Sequence, residues 1–236
     1  VRATTISAEM KSYRYLHHGR IAESSEMPEG ATLLPPVLPS KIICVGRNYA
    51  EHVKELGNEL PTDPVLFFKP PSALLGPGGT IVRPAVSQRV DFEGELAIVV
   101  GREAKNVKAD RWRDYVRGFT CANDVTARDL QKKDVQFTRG KGFDTFLPLG
   151  PCIETDLDPS DLRLTSRVNG ETRQDGRTSQ VIFAFDWLFE YITAIMTLVP
   201  GDVILTGTPS GVGPLQSGDV VEVEVEGIGV LSNAVA

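Results

Sequence analysis

Only one stretch of this chain, QVIFAFDWLFEYITAIMTL over residues 180–198, keeps apolar residues at helical spacing long enough to predict a long amphipathic helix, and Pro200-Gly201 ends it. Elsewhere the apolar residues come in strand-length runs: KIICVG, PVLFFKP, ELAIVVG, GFTCAN, DVILTGTP and DVVEVEVEG. Glycine, proline or polar residues close these runs. A regular alternation of strands and helices, which a doubly wound parallel sheet needs, does not occur. The pattern therefore predicts an α+β, mostly β fold. Asn169-Gly170, set between alternating residues in LRLTSRVNGETRQDG, is the strongest hairpin signal.

The organisation along the chain is simple. KSYRYLHHGRIAE, residues 11–23, reads as two short strands joined around His18-Gly19, and the proline-rich PEGATLLPPVLPS, residues 28–40, reads as a linker. The expected division is a small N-terminal β segment with its linker, residues 1–40, and a main catalytic domain, residues 41–236. RNYAEHVKELGN reads as a short helix with a stop at Gly57-Asn58, and a second helix is expected from about Thr126, after a strand ending near Asp124.

Composition narrows the function. A net charge of -6 argues against a nucleic-acid surface, which needs a basic stripe. No apolar run approaches the roughly 20 residues that would span a bilayer, and the opening VRATTISAEMK has no leader-like apolar core. Cys44, Cys121 and Cys152 are odd in number, lie far apart and form no C-x-x-C pair, so buried thiols in a reducing compartment, the cytoplasm by default, are expected.

The chemistry centres on DFEGELAIVVG. On a strand, Glu93 and Glu95 project to one face with Gly94 opposite, and two adjacent carboxylates repel unless a positive charge lies between them. Taken alone the pair is equally well the exposed start of a strand. Asp124, at the end of GFTCAN, adds a third carboxylate, with a helix-cap role as its alternative. Three carboxylates without Cys or His make a hard all-oxygen set that suits Mg2+ or Mn2+, Ca2+ less well, and disfavours zinc. Lys69 closes the FFKPPSA strand and Lys141 sits among glycines in TRGKGFDTF. Beside a metal either could neutralise a substrate carboxylate, although each alone is more simply a surface lysine. His52 and Glu55 are three apart on one helix face, a spacing that suits proton transfer but is also common on plain surfaces. LTGTPSGVG fits neither a dinucleotide nor a phosphate loop, yet its backbone and Thr208 could cradle a carboxylate.

The ordered set GRNYAEH, FFKP, DFEGELAIVVG, NDVTARDLQ, KGFDTF, VNGETRQDG, LTGTPSGVG and GIGVLSN, from about Lys41 to Asn233, resembles the fumarylacetoacetate hydrolase family. The resemblance implies a mixed β-roll core, a homodimer and one Mg2+ or Mn2+ per chain held by Glu93, Glu95 and Asp124. It implies substrate contacts from Arg47, Lys69, Gln131 and Thr208, and catalytic roles for His52, Glu55 and Lys141. The implied substrate is a small anionic 2-oxo acid. Its enolate can lead to decarboxylation, to acylpyruvate hydrolysis by a water that His52 activates, or to tautomerisation or isomerisation. Retention of both His52 and Glu55 favours acylpyruvate hydrolysis or oxaloacetate decarboxylation, with 2-hydroxyhepta-2,4-diene-1,7-dioate isomerisation or oxaloacetate tautomerisation second. A non-catalytic module that binds metal and 2-oxo acid is the remote alternative.

Overall fold

The computed structural model describes residues 11–236, so the reading of the chain's opening as lacking a leader core lies outside the described residues. Among the described residues no helix is long and apolar enough to cross a membrane. A ten-stranded sheet forms the centre. Its path runs through Arg20–Ser24, Lys11–His17, Leu147–Glu154, Val116–Asn123, Gly94–Val100, Val203–Leu205, Ile42–Gly46 and Val65–Lys69. Neighbours are antiparallel along this path except Val203–Leu205 and Ile42–Gly46, which run parallel. A five-stranded sheet packs on it (Glu171–Arg177, Arg163–Val168, Val220–Val225, Gly229–Val235 and Thr80–Ile81), with a small sheet of Thr126–Ala127, Val90–Phe92 and Gly213–Pro214 at one end. This is the mixed, mostly β architecture that the short apolar runs predict.

The central strands read as unbroken apolar runs because both their faces are covered. Ile42, Cys44, Ala97, Val99, Val203 and Leu205 belong to one core layer. Their neighbours Ile43, Val45, Leu96, Ile98, Val100 and Ile204 belong to the other. The helix Phe185–Ile195 covers the second layer with Phe185, Leu188, Phe189 and Ile192. It is shorter than the 180–198 stretch expected, for a visible reason. Asn48 holds residues 182 and 183 out of the helix: its carbonyl accepts from Ile182 N at 2.8 Å and its side-chain oxygen accepts from Phe183 N at 2.8 Å.

The predicted hairpin forms with Arg163–Val168 and Glu171–Arg177 as its arms, and Asn169 and Gly170 both take positive φ, 53° and 80°, as a type I′ turn requires. The strands around His18-Gly19 also form, and Lys11–His17 adds to the main sheet through Leu147–Glu154. All three cysteines are buried and free.

Candidate active site

The site is built where two antiparallel strands end together. Asn123 pairs with Gly94 and Ala122 with Glu95, which brings Asp124 beside Glu93, and Asp124 N donates to the Glu93 carbonyl at 2.8 Å. Asn123 fixes the same corner by accepting from Glu93 N at 2.9 Å. Gly94 turns its bare face to the five-stranded sheet, where a Cβ would overlap Ser166 Oγ. Its N–H donates to Gln174 Oε1 at 2.9 Å. With residue 94 pinned against that sheet, Glu93 and Glu95 project away from it together with Asp124. The three side chains are buried, and one carboxylate oxygen from each lies within 4.8 Å of the others. Oxygens that share one Mg2+ at about 2.1 Å stand roughly 3 to 4 Å apart, so this spacing suits a shared ion.

Buried cations surround the trio. Lys141, at the end of the short helix Thr138–Lys141, donates to Glu93 Oε2 at 2.8 Å and Asp124 Oδ2 at 2.6 Å. Lys69 donates to Asp124 Oδ1 at 2.6 Å and the Val125 carbonyl at 3.0 Å. Arg128 donates to Glu93 Oε1 at 2.5 Å, to Asp91 Oδ2 at 2.9 Å and to Gln131 Oε1 at 2.7 Å. Burial alone would raise the Glu93 pKa, but Lys141 and Arg128 hold it well below the usual carboxylate range. Burial likewise acts to lower the Lys141 pKa, yet Asp124 and Glu93 outweigh it and keep the ammonium charged. Burial lowers the Lys69 pKa despite Asp124.

Glu95 is the exception. It accepts from Gly207 N at 2.6 Å and, among the described residues, makes no ion pair with a cationic side chain. Burial, then Asp124 and Glu93, push its pKa well up. A buried carboxylate in this position lacks a positive charge on its open side, and two other carboxylate oxygens point at the same space. The donor set therefore fits a hard divalent cation held by Glu93, Glu95 and Asp124.

A cleft of about 370 Å³ opens over this cluster. Arg47, His52, Gln131, Lys141 and Thr208 border it along with the three carboxylates. His52 is buried on the helix Ala50–Glu55, and its Nδ1 lies 3.1 Å from Glu55 Oε2. An ionised carboxylate only accepts, so Nδ1 is the donor in this pair, and in the neutral imidazole Nε2 is the nitrogen with the lone pair. Glu55 does not border the cleft. It holds His52 from behind while its other oxygen accepts from Gly211 N at 3.0 Å, which ties the helix to the TGTPSGVG turn.

Two expected contacts take a different form. Lys69 lies beneath Asp124 rather than on the cleft wall, because the Val65–Lys69 strand delivers it from below the sheet end. The Thr208 hydroxyl is already engaged, donating to the Gly94 carbonyl at 2.8 Å and accepting from Gln174 Nε2 at 2.7 Å. The helix expected from Thr126 begins at Arg128, since Thr126–Ala127 pairs with Val90–Phe92 instead. Sequence reasoning missed Arg128, Asp91 and Gln174. Arg128 was within reach: three residues before Gln131, it had to share a helix face with it.

The fold and this site define the class. Residues 41–236 match the fumarylacetoacetate (FAA) hydrolase C-terminal family model, and the chain belongs to that family. An uncharacterized protein of Methanocaldococcus jannaschii is 55% identical over 199 residues, covering 84% of each chain. The mitochondrial oxaloacetate tautomerase Fahd2a of Rattus norvegicus is 44% identical over 86% of this chain and 69% of its own length. Among solved structures, the 5-carboxymethyl-2-hydroxymuconate delta-isomerase of Mycobacterium smegmatis is 47% identical with a TM-score of 0.89, covering 96% of this chain and 98% of that one.

Proposed function

We propose that this protein is a divalent-metal-dependent enzyme that moves a proton at the carbon next to the carbonyl of a small 2-oxo or enol acid, as a tautomerase or isomerase. The observation that carries the reading is the placement of a buried His52, backed by Glu55, on the wall of the same cleft that holds the three converging carboxylates. When bound there, Mg2+ or Mn2+ would act as a Lewis acid toward the charge developing on a 2-oxo oxygen. His52 Nε2 takes up or returns the proton, and Glu55 stabilises the imidazolium that forms in between. Lys141 holds Glu93 and Asp124 in register and adds positive charge beside the developing anion. Lys69 holds Asp124 by a hydrogen bond, and Arg128, with Lys141, keeps Glu93 ionised. The names of the rat and mycobacterial relatives support proton transfer over bond cleavage.

A second reading, acylpyruvate hydrolysis or oxaloacetate decarboxylation, draws on the same dyad, with His52 activating a water instead of a substrate carbon. Assembly as a homodimer belongs to the proposal and is tested by light scattering on a sizing column. The deciding experiment follows the enol absorbance of oxaloacetate, and the consumption of acetylpyruvate and oxaloacetate, with Mg2+ or Mn2+ and with EDTA. Metal-dependent loss of the enol signal without carbon dioxide release supports the first reading. Turnover that EDTA leaves untouched sinks both.

A further inference from the structure

Gln174 does not border the cleft, and it is completely buried on the strand Glu171–Arg177. Its amide is used to capacity. Oε1 accepts from Gly94 N at 2.9 Å and from Ser166 Oγ at 2.7 Å. Nε2 donates to Thr208 Oγ1 at 2.7 Å and to the Pro209 carbonyl at 2.8 Å. Gly94 N only donates and the Pro209 carbonyl only accepts, so the two ends of the amide cannot be exchanged. Thr208 closes the circuit, because its single hydroxyl proton goes to the Gly94 carbonyl at 2.8 Å. Residue 94, the link between two carboxylates of the trio, is thus held at its N–H by Gln174 and at its carbonyl by Thr208.

Packing points the same way. A Cβ at Gly94 would lie 3.2 Å from Gln174 Oε1, and one at Gly211 would overlap the Arg173 carbonyl. One at Gly176 would come within 2.7 Å of Pro209 Cβ. The three glycines let residue 94 and the turn over residues 207–211 lie directly on this strand.

What the turn carries makes its placement matter. Gly207 N donates to Glu95 Oε2 at 2.6 Å, and Gly211 N donates to Glu55 Oε1 at 3.0 Å. One end therefore grips a candidate metal ligand, and the other grips the carboxylate that holds His52. Gln174 fastens the middle of the turn, at Thr208 and Pro209.

We propose that Gln174 is the positioning residue of this site: by fastening the turn to residue 94, it fixes the metal ligands and the His52–Glu55 pair relative to each other. This rests on the reading of Glu93, Glu95 and Asp124 as a metal site and of His52 as the proton carrier. Gln174 acts through Gly94, Thr208 and the two N–H groups of the turn.

Two variants and two readouts test it. Gln174→Met removes all four hydrogen bonds of the amide, and Thr208→Val cuts the circuit at one residue. Titration calorimetry reads Mn2+ affinity. Heteronuclear NMR of the His52 ring nitrogens, without Mn2+, reads its tautomer. Mn2+ should bind about 10- to 100-fold more weakly to either variant, the range for losing a group that orients metal ligands. The neutral His52 ring should be chiefly the Nδ1–H form in the wild type and a mixture of both forms in the variants, since Glu55 is no longer held in place. A residue that only adds stability would lower the melting temperature and move neither readout in the folded protein. Thr208→Ser, which keeps the hydroxyl, should behave as wild type. A folded Gln174→Met with wild-type Mn2+ affinity and an unchanged His52 tautomer overturns the proposal. So does a Thr208→Val that changes neither, and this variant decides should Gln174→Met fail to fold. If the wild type takes up no Mn2+, the metal reading fails by itself, and the His52 tautomer alone decides on Gln174.

Discussion

Glu93 and Glu95 are separated by one residue and sit in opposite electrostatic settings. Glu93 is gripped by Lys141 and Arg128, whereas the side chain of Glu95 has, among the described residues, a hydrogen bond from the Gly207 N–H alone. The difference follows from chain direction. Glu93 stands at the corner reached by the helices Arg128–Lys133 and Thr138–Lys141, and Glu95 lies one step further in, facing the turn after Val203–Leu205. Without a metal, burial and the two neighbouring carboxylates disfavour the ionised form of Glu95, so folding forces on it either an ill-compensated charge or a proton, and its removal should help the protein.

Glu95→Gln is therefore expected to act in opposite directions with and without metal. In EDTA the variant should melt higher than wild type, by about 2–4 °C if it relieves about 1 kcal/mol in a chain of this size. With Mn2+ added, wild type should gain stability while the variant gains much less, because a ligand has been lost. Differential scanning calorimetry on both proteins, with and without Mn2+, checks both halves. A wild-type melting temperature indifferent to Mn2+ and to Mg2+ would remove the case for a metal.

The His52–Glu55 pair predicts a separation of effects. His52→Gln should lower kcat by about 10²–10⁴, the usual contribution of a general base, while Mn2+ affinity stays within a few-fold. Glu55→Gln should cost less, because Nε2 still faces the cleft once the orienting carboxylate becomes an amide. Since Glu55 also holds Gly211 N, it should in addition loosen the Ala50–Glu55 helix, read as faster amide exchange there. A His52→Gln enzyme with unchanged kcat would dismiss histidine from proton transfer.

How much of this was legible in the sequence depends on how local each feature is. The carboxylate pair, the hairpin turn and the strand ending near Asp124 are fixed by neighbouring residues, and all are present as read. The roles of Lys69 and Arg128 depend on which elements meet at the sheet end. Nothing in FFKP indicates that its lysine passes beneath Asp124, and the partner that buries Arg128, Asp91, lies 37 residues earlier in the chain. The overlong helix has a similar origin. Residues 180–184 have helical periodicity, but Asn48, far away in sequence, offers their backbone better hydrogen bonds in another shape.

Gly94 tests whether close packing sets the carboxylate geometry. A methyl group there meets Ser166 Oγ, with Gln174 Oε1 and Val223 close behind. Gly94→Ala should destabilise the fold by about 1–3 kcal/mol through overpacking and weaken Mn2+ binding, although no ligand has been changed. The double variant Gly94→Ala with Ser166→Gly should recover part of both. Urea denaturation together with Mn2+ titration measures them, and failure of the second substitution to rescue either would show that the clash is not with Ser166.

Asp202 gives the pH dependence. It is buried where the linker enters the main sheet, and it joins Ser40 Oγ at 2.6 Å, Lys41 N at 3.1 Å, Lys41 Nζ at 2.5 Å and Val199 N at 2.8 Å. Burial by itself would raise its pKa, but Lys41, Ser40 and the two backbone N–H groups together hold it below the normal value. A carboxyl whose folded pKa is depressed contributes stability that is fully present above its unfolded pKa, about 3.9, and that fades as the pH falls through the folded value. Asp202→Asn should thus cost about 1–3 kcal/mol at pH 7, the scale of losing a charged hydrogen-bond acceptor. The deficit should hold at pH 5 and narrow below pH 4, where the wild-type carboxyl takes up its proton. Urea midpoints at these three pH values decide it, because a deficit that stays constant down to pH 3 would mean that Asp202 acts through shape and not through charge.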